Sequence, residues 1–200
     1  MSDLPIREYE RHSATVTPWD PRALAVARKV AALVASARAG AITEHVGSTS
    51  VPGLPGKGIV DLGIEADPDE IPPLTDAILS LGFQRQGGLT PFPPTRPMFV
   101  GSVVEDGTTF RIHLHVMPPG RRELAEMRGF RDALLADEPL RTAYAEAKQR
   151  IVDGSAANAP QELYTAHKSD FVLDALRRLG IRRPPADAPV PLAPGATIGV

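Results

Sequence analysis

The sequence predicts an α+β domain with a mixed β-sheet, and three observations carry that prediction. An amphipathic helix leads the chain, strand-like segments with one intervening helix fill the middle, and helical periodicity takes over from Arg121 onward. A doubly wound sheet would require strands and helices to alternate throughout, and here they do not. At 200 residues the chain suits one compact domain with a substantial core.

The leading helix is announced by "WDPRALAVARKVAALVASARAG". Asp20 can cap it, Pro21 suits its first turn, and Gly40 ends it. Its expected buried stripe is Leu24, Ala27, Val30, Val34 and Ala37. A strand over Ala41–Val46 then enters the loop "GSTS". The next strand, "GIVDLGIE", turns Val60, Leu62 and Ile64 to one face, with Ile59, Asp61, Gly63 and Glu65 on the other. A helix over Ile71–Leu81 follows, stopped by Gly82, and "GGLTPFPPTRP" has too many breakers for regular structure. The segments "MFVGSVVE" and "TTFRIHLHVM" flank Asp106-Gly107, a pair suited to a type I′ hairpin. Three helices should close the fold: Arg121–Ala136, Pro139–Val152 and Gln161–Leu179.

Residues 1–12 read as a flexible N-terminal segment, 13–182 as the domain, and 183–200 as a disordered Pro/Ala-rich tail. The 22 basic and 24 acidic residues leave a net charge of -2, so nucleic-acid binding is not indicated. Cysteine is absent, which removes disulfides, thiolate metal sites and Cys nucleophiles together. No apolar run reaches membrane-spanning length and no signal peptide is visible, so the expectation is a soluble, cytoplasmic protein.

Chemistry concentrates at four places. In "GSTS", Gly47, Ser48, Thr49 and Ser50 offer unobstructed backbone N–H groups and three hydroxyls, the features a polyphosphate needs. A plain turn suits the same residues, and the Walker pattern is missing. Asp61 lies in an apolar strand, where a carboxylate must be paired, metal-bound or turned to a wet cleft. The polar face of a one-sided sheet would satisfy it too. His113 and His115 share one strand face about 6–7 Å apart, a spacing that can hold a divalent ion or contact phosphate. Tyr144 with Lys148, and Tyr164 with Lys168, are i,i+4 pairs on the late helices, where a lysine stem can reach toward a cleft. Of only four lysines, Lys57, Lys148 and Lys168 fall in these loop and helix segments of an Arg-biased chain. Ordinary helix packing accounts for the same pairs.

The stretches "EHVGSTSVPGLPGKGIVDL", "RIHLHV", "FRDALLADEPLRTAYAEAK" and "YTAHKSDFV" resemble the GrpB-like proteins in order and spacing, and "TPWDPRAL" resembles their N-terminal segment. The resemblance covers roughly residues 13–178. It implies the nucleotidyltransferase-like fold, whose enzymes carry a Gly-Ser loop, two carboxylates two residues apart on the next strand, and a third on a later strand. By that resemblance Gly47 and Ser48 match the phosphate loop and Asp61 the first carboxylate. The second carboxylate falls on Gly63, and the later strand carries His113 and His115.

Three functions follow as expectations. The first is a metal-dependent transferase acting on a nucleotide or other small phosphorylated molecule. Asp61, His113 and His115 would hold Mg²⁺ or Mn²⁺ and form the catalytic set; Gly47, Ser48, Thr49, Ser50, Lys57, Lys148, Tyr164 and Lys168 would bind the phosphates. The second is a non-catalytic binding or accessory module for a partner enzyme such as dephospho-CoA kinase, to which the resembled family is fused in some bacteria. The third is a hydrolase or other metal enzyme built on Asp61, His113 and His115.

Overall fold

A computed structural model describes residues 4–10, 15–87, 92–153 and 174 of the chain. The expected helix Gln161–Leu179, with Tyr164 and Lys168, therefore lies outside the described residues apart from Asp174, and so does the tail 183–200.

Helix α1 (Arg22–Ala37) starts where Asp20 accepts the Arg22 backbone N–H at 2.9 Å, which satisfies one of the first-turn donors. Its buried stripe is Ala23, Val26, Ala27, Val30 and Val34. Leu24 is half-buried and Ala37 exposed, so the buried face is rotated from the expected one. The small residues at Ala23 and Ala27 let the helix lie close to the sheet. Strand β1 (Thr43–Val46) begins two residues later than expected and leads into a short 3-10 turn, Ser48–Ser50. Strand β2 is Ile59–Glu65 and helix α2 is Ile71–Ser80.

A two-residue strand, β3 (Gln84–Arg85), escapes prediction because it is too short to show periodicity. The hairpin β4 (Met98–Glu105) and β5 (Thr108–Met117) turns at Asp106 and Gly107, whose φ values of 45° and 72° are those of a type I′ turn. Helices α3 (Arg122–Ala136) and α4 (Glu138–Asp153) follow.

The sheet order is β1-β2-β5-β4-β3. Only β2 and β5 run parallel; the other neighbours are antiparallel, which makes the sheet mixed as expected. One face carries Val60, Leu62, Ile64, Ile112, Leu114 and Val116 against α1 and α2, in the main core. The opposite face carries Asp61, Gly63, His113 and His115 and is only partly covered, by α3 and α4. Phe130 of α3 meets Tyr144 of α4 edge-to-face at 5.0 Å, and both pack on Val51 and Leu54, so the two helices are seated on the chain just after the Gly-Ser loop.

The N-terminal segment departs from its reading as a tail. Arg7 bridges to Ser102 with two backbone hydrogen bonds of 2.9 Å, continuing the sheet edge beside β3. Ile6 is 2% exposed and belongs to the main core. Burial of one isoleucine and pairing to an open edge hold a segment whose sequence shows no periodicity.

Candidate functional site

Parallel pairing of β2 with β5 sets Asp61 opposite His113 and Gly63 opposite His115. Cross-strand partners point to the same face, so the carboxylate and both imidazoles converge. One ligand atom from each of Asp61, His113 and His115 lies within 4.8 Å of the others. His113 Nδ1 stands 3.3 Å from Asp61 Oδ1, at side-chain exposures of 17% and 21%. On the far side of the same ring, the Tyr9 hydroxyl is 3.0 Å from His113 Nε2, and the two rings stack tilted at 5.5 Å. His115 packs edge-on against Phe92 at 6.0 Å. Burial pushes its pKa down to about 4, against an opposing pull from Asp61, so its imidazole is neutral at pH 7 with a lone pair to offer. Two imidazole nitrogens and a carboxylate oxygen suit one divalent cation.

The Gly-Ser loop is built around Asp61. Gly47 has φ +73° and ψ -172°, a backbone region that a side chain strongly disfavours. A Cβ there would stand 2.5 Å from Asp61 Oδ2, so this glycine also lets the loop backbone close on the carboxylate. Thr49 plays an internal part: it is buried, and its hydroxyl donates to the Ile59 carbonyl at 3.0 Å. Its hydroxyl is therefore committed to the fold. With that proton spent, the same oxygen accepts from His45 Nε2–H at 3.0 Å, which defines the His45 tautomer. Burial lowers the His45 pKa to about 4, with Asp61 opposing and Arg131 assisting. Ser50 Oγ donates to the Gly47 carbonyl at 2.6 Å and braces the turn. The Trp19 indole N–H donates to the Thr49 carbonyl at 3.0 Å, tying the chain before α1 to the loop.

The lysines divide. Lys148 does not reach out into solvent: it is 2% exposed, its ammonium donates to the Pro55 carbonyl, and it lies 4.6 Å from the Tyr144 ring centroid. Its Nζ and Ser48 Oγ both approach the position a Cβ on Gly56 would take, at 3.4 and 2.8 Å, so the charge lies beside the Gly-Ser loop. Lys57 lines a neighbouring cleft of about 650 Å³ together with Trp19, Thr49, Gly56 and Arg111. Asp61, His113 and His115 do not line that cleft. Arg111 Nη2 donates to the Lys57 carbonyl at 2.8 Å.

Beyond the Asp61 rung the same sheet face closes. Leu124 of α3 covers Gly63, and a Cβ added to Gly63 would run into its Cδ1. Leu124 joins Val46 and Met117 in a small buried cluster. Farther along, Arg128 of α3 donates to Glu44 from Nε, shared between the two carboxylate oxygens at 2.8 and 3.0 Å, and from Nη2, and to Glu65 from Nη1 at 3.2 Å. The guanidinium holds the Glu44 carboxyl below the usual carboxylate range. Glu65 is thus committed to α3 and is no part of the cluster.

Sequence reasoning found Asp61, His113, His115 and the loop, and the structure brings these together. It missed Tyr9, Trp19, His45 and Arg111. The one tryptophan, between Pro18 and Asp20, was a visible signal. Tyr9 had none, because its partner is 104 positions away.

Comparison with known proteins extends the picture. The family model described as GrpB protein matches residues 13–178. A UPF0157 protein of Halalkalibacterium halodurans is 28% identical over 187 residues, covering 89% of both chains. Another from Streptomyces coelicolor is 31% identical over 141 residues, covering 70% of this chain and 69% of that one. Among solved structures, the conserved protein GrpB from Enterococcus faecalis superposes with a TM-score of 0.64 at 20% identity, over 83% of this chain and 99% of that one. A Cid1 poly(U) polymerase with MgATP bound gives a TM-score of 0.50 at 14% identity, over 92% of this chain and 59% of that one. At these identities the structural likenesses speak for the fold, which is nucleotidyltransferase-like.

Proposed function

The chain belongs to the GrpB family, and from that premise we propose that it binds a small phosphorylated ligand, a nucleotide foremost, through one divalent cation held by Asp61, His113 and His115. The convergence of their ligand atoms within 4.8 Å carries this reading. A cation there supplies positive charge against phosphate oxygens. Asp61 is the anionic ligand and lies close against the backbone at Gly47. His115, kept neutral by burial, is a ready nitrogen donor. Ser48 and the loop N–H groups receive the phosphates, with the buried Lys148 ammonium and Lys57 adding charge nearby. Tyr164 and Lys168 belong to the same proposal by sequence alone. The mixed donor set favours Mn²⁺ over Mg²⁺, which prefers oxygen ligands.

Leu124 over Gly63 favours a second reading. The fold's enzymes use a second carboxylate at this position for a two-metal transfer, and here an apolar side chain fills the space. A cleft that binds without turning over, as a sensor or as an accessory to a partner enzyme such as dephospho-CoA kinase, needs one cation or none.

A thermal-shift screen against nucleoside triphosphates and CoA precursors, with and without Mn²⁺ or Mg²⁺, tests the first reading. A ligand at a hundredfold excess over Kd raises stability by about 2.7 kcal/mol. The expected result is a Mn²⁺-dependent shift that Asp61→Ala abolishes. A shift that ignores metal and survives Asp61→Ala selects the binding module. No shift from any of these compounds removes the nucleotide from the proposal.

A further inference from the structure

The N-terminal segment places a phenol on the candidate metal ligand. We propose that Tyr9 is a positioning residue for His113, holding Nε2 so that Nδ1 is the nitrogen offered to the cation. This rests on the cation reading above.

The geometry comes from three attachments. Ile6 is buried in the core, Arg7 pairs with Ser102 at the sheet edge, and the Tyr9 N–H donates to Gln84 Oε1 at 2.9 Å. Together they anchor the backbone on both sides of residue 8, and the Tyr9 ring lies against the His113 ring with its hydroxyl 3.0 Å from Nε2. The other nitrogen, Nδ1, faces Asp61 Oδ1 at 3.3 Å, and one ligand atom from each of Asp61, His113 and His115 lies within 4.8 Å of the others. A cation shared by these three residues must meet His113 through Nδ1.

A hydroxyl suits the outer position for a specific reason. In the tautomer that carries its proton on Nδ1, toward the carboxylate, Nε2 accepts from the Tyr9 O–H. When Nδ1 gives its lone pair to a cation, the ring proton must sit on Nε2, which then donates to the Tyr9 oxygen. A phenol hydroxyl donates in the first arrangement and accepts in the second, so one residue serves both without moving. A backbone carbonyl could serve only the second. Outer partners of this kind typically change metal affinity by about 10- to 100-fold when removed.

The test uses the full chain labelled with ¹⁵N-histidine, Zn²⁺ as a diamagnetic probe, and Mn²⁺ titration by calorimetry. The expected result is a His113 proton on Nδ1 without metal and on Nε2 with Zn²⁺. Tyr9→Phe keeps the ring contact, and should weaken Mn²⁺ binding about tenfold and leave the metal-free tautomer mixed. Zn²⁺ bound through Nε2 overturns the inference without recourse to any variant. So does a Tyr9→Phe protein whose Mn²⁺ affinity and nitrogen spectrum match the parent. Failure of the parent itself to bind Mn²⁺ or Zn²⁺ overturns the cation reading, and this inference with it.

Discussion

Two adjacent rungs of the β2–β5 pair sit on one face of one sheet and both give a side chain to the candidate site, yet one is polar on both strands and the other sets a histidine beside a glycine capped by an apolar side chain. At the first rung Asp61 faces His113, with the Gly47 backbone against the carboxylate and the Tyr9 hydroxyl behind the imidazole. At the second, Gly63 faces His115 and Leu124 covers the glycine. Two residues along a strand, about 7 Å, separate them. The difference comes from α3. Its Leu124 enters the Val46 and Met117 cluster over Gly63, and its Arg128 ties down Glu44 and Glu65. Where α3 lies thus sets how many ligands the face can offer.

The comparison can be broken most severely at the capped rung. Leu124 is fully buried, and Leu124→Ala should cost about 2–5 kcal/mol in chemical denaturation. Metal affinity should survive, and its loss would mean that the Leu124 cap also holds His115 in place for the cation. The same variant sharpens the comparison when combined with Gly63→Asp. With the covering side chain gone, a second carboxylate should strengthen Mn²⁺ and Mg²⁺ binding by calorimetry. An unchanged affinity would show that more than Leu124 separates this face from a two-carboxylate site.

The polar rung breaks at Gly47. Gly47→Ala puts a Cβ against Asp61 Oδ2 in a backbone region alanine disfavours, at a cost of about 1–3 kcal/mol. Mn²⁺ affinity should fall at least tenfold with it, roughly 1.4 kcal/mol. Stability lost without any change in affinity would place the carboxylate elsewhere. The smallest effect is expected at Arg128. Its pairs with Glu44 and Glu65 are about three-tenths exposed, so Arg128→Met should cost no more than about 1 kcal/mol, less at high salt. A larger loss would make the ion pairs, and not Leu124, the main attachment of α3.

Much of this was legible in the sequence. The Asp106-Gly107 turn specifies the β4–β5 hairpin through local φ preferences, and the alternation of β5 already put His113 and His115 on one face. The α1 start and the α2 stop were also readable from Asp20 and Gly82. The Gly-Ser loop was legible as a loop but not as a set of donors. Thr49 and Ser50 look alike in "GSTS", and the fold turns the Thr49 hydroxyl to Ile59. Lys148 was recognised on the inner side of α4, yet whether its stem emerged or stayed under the loop depended on Pro55 and Tyr144.

By itself the sequence determined the order of elements, the mixed sheet, the hairpin and the residue types at the site, because periodicity, turn chemistry and strand alternation act over a few neighbouring positions. The tertiary structure alone decided that Asp61 meets His113, that Tyr9 stands behind that histidine, and that Leu124 covers Gly63. Those contacts join residues dozens of positions apart, and they follow from strand register and helix docking, which no local pattern encodes.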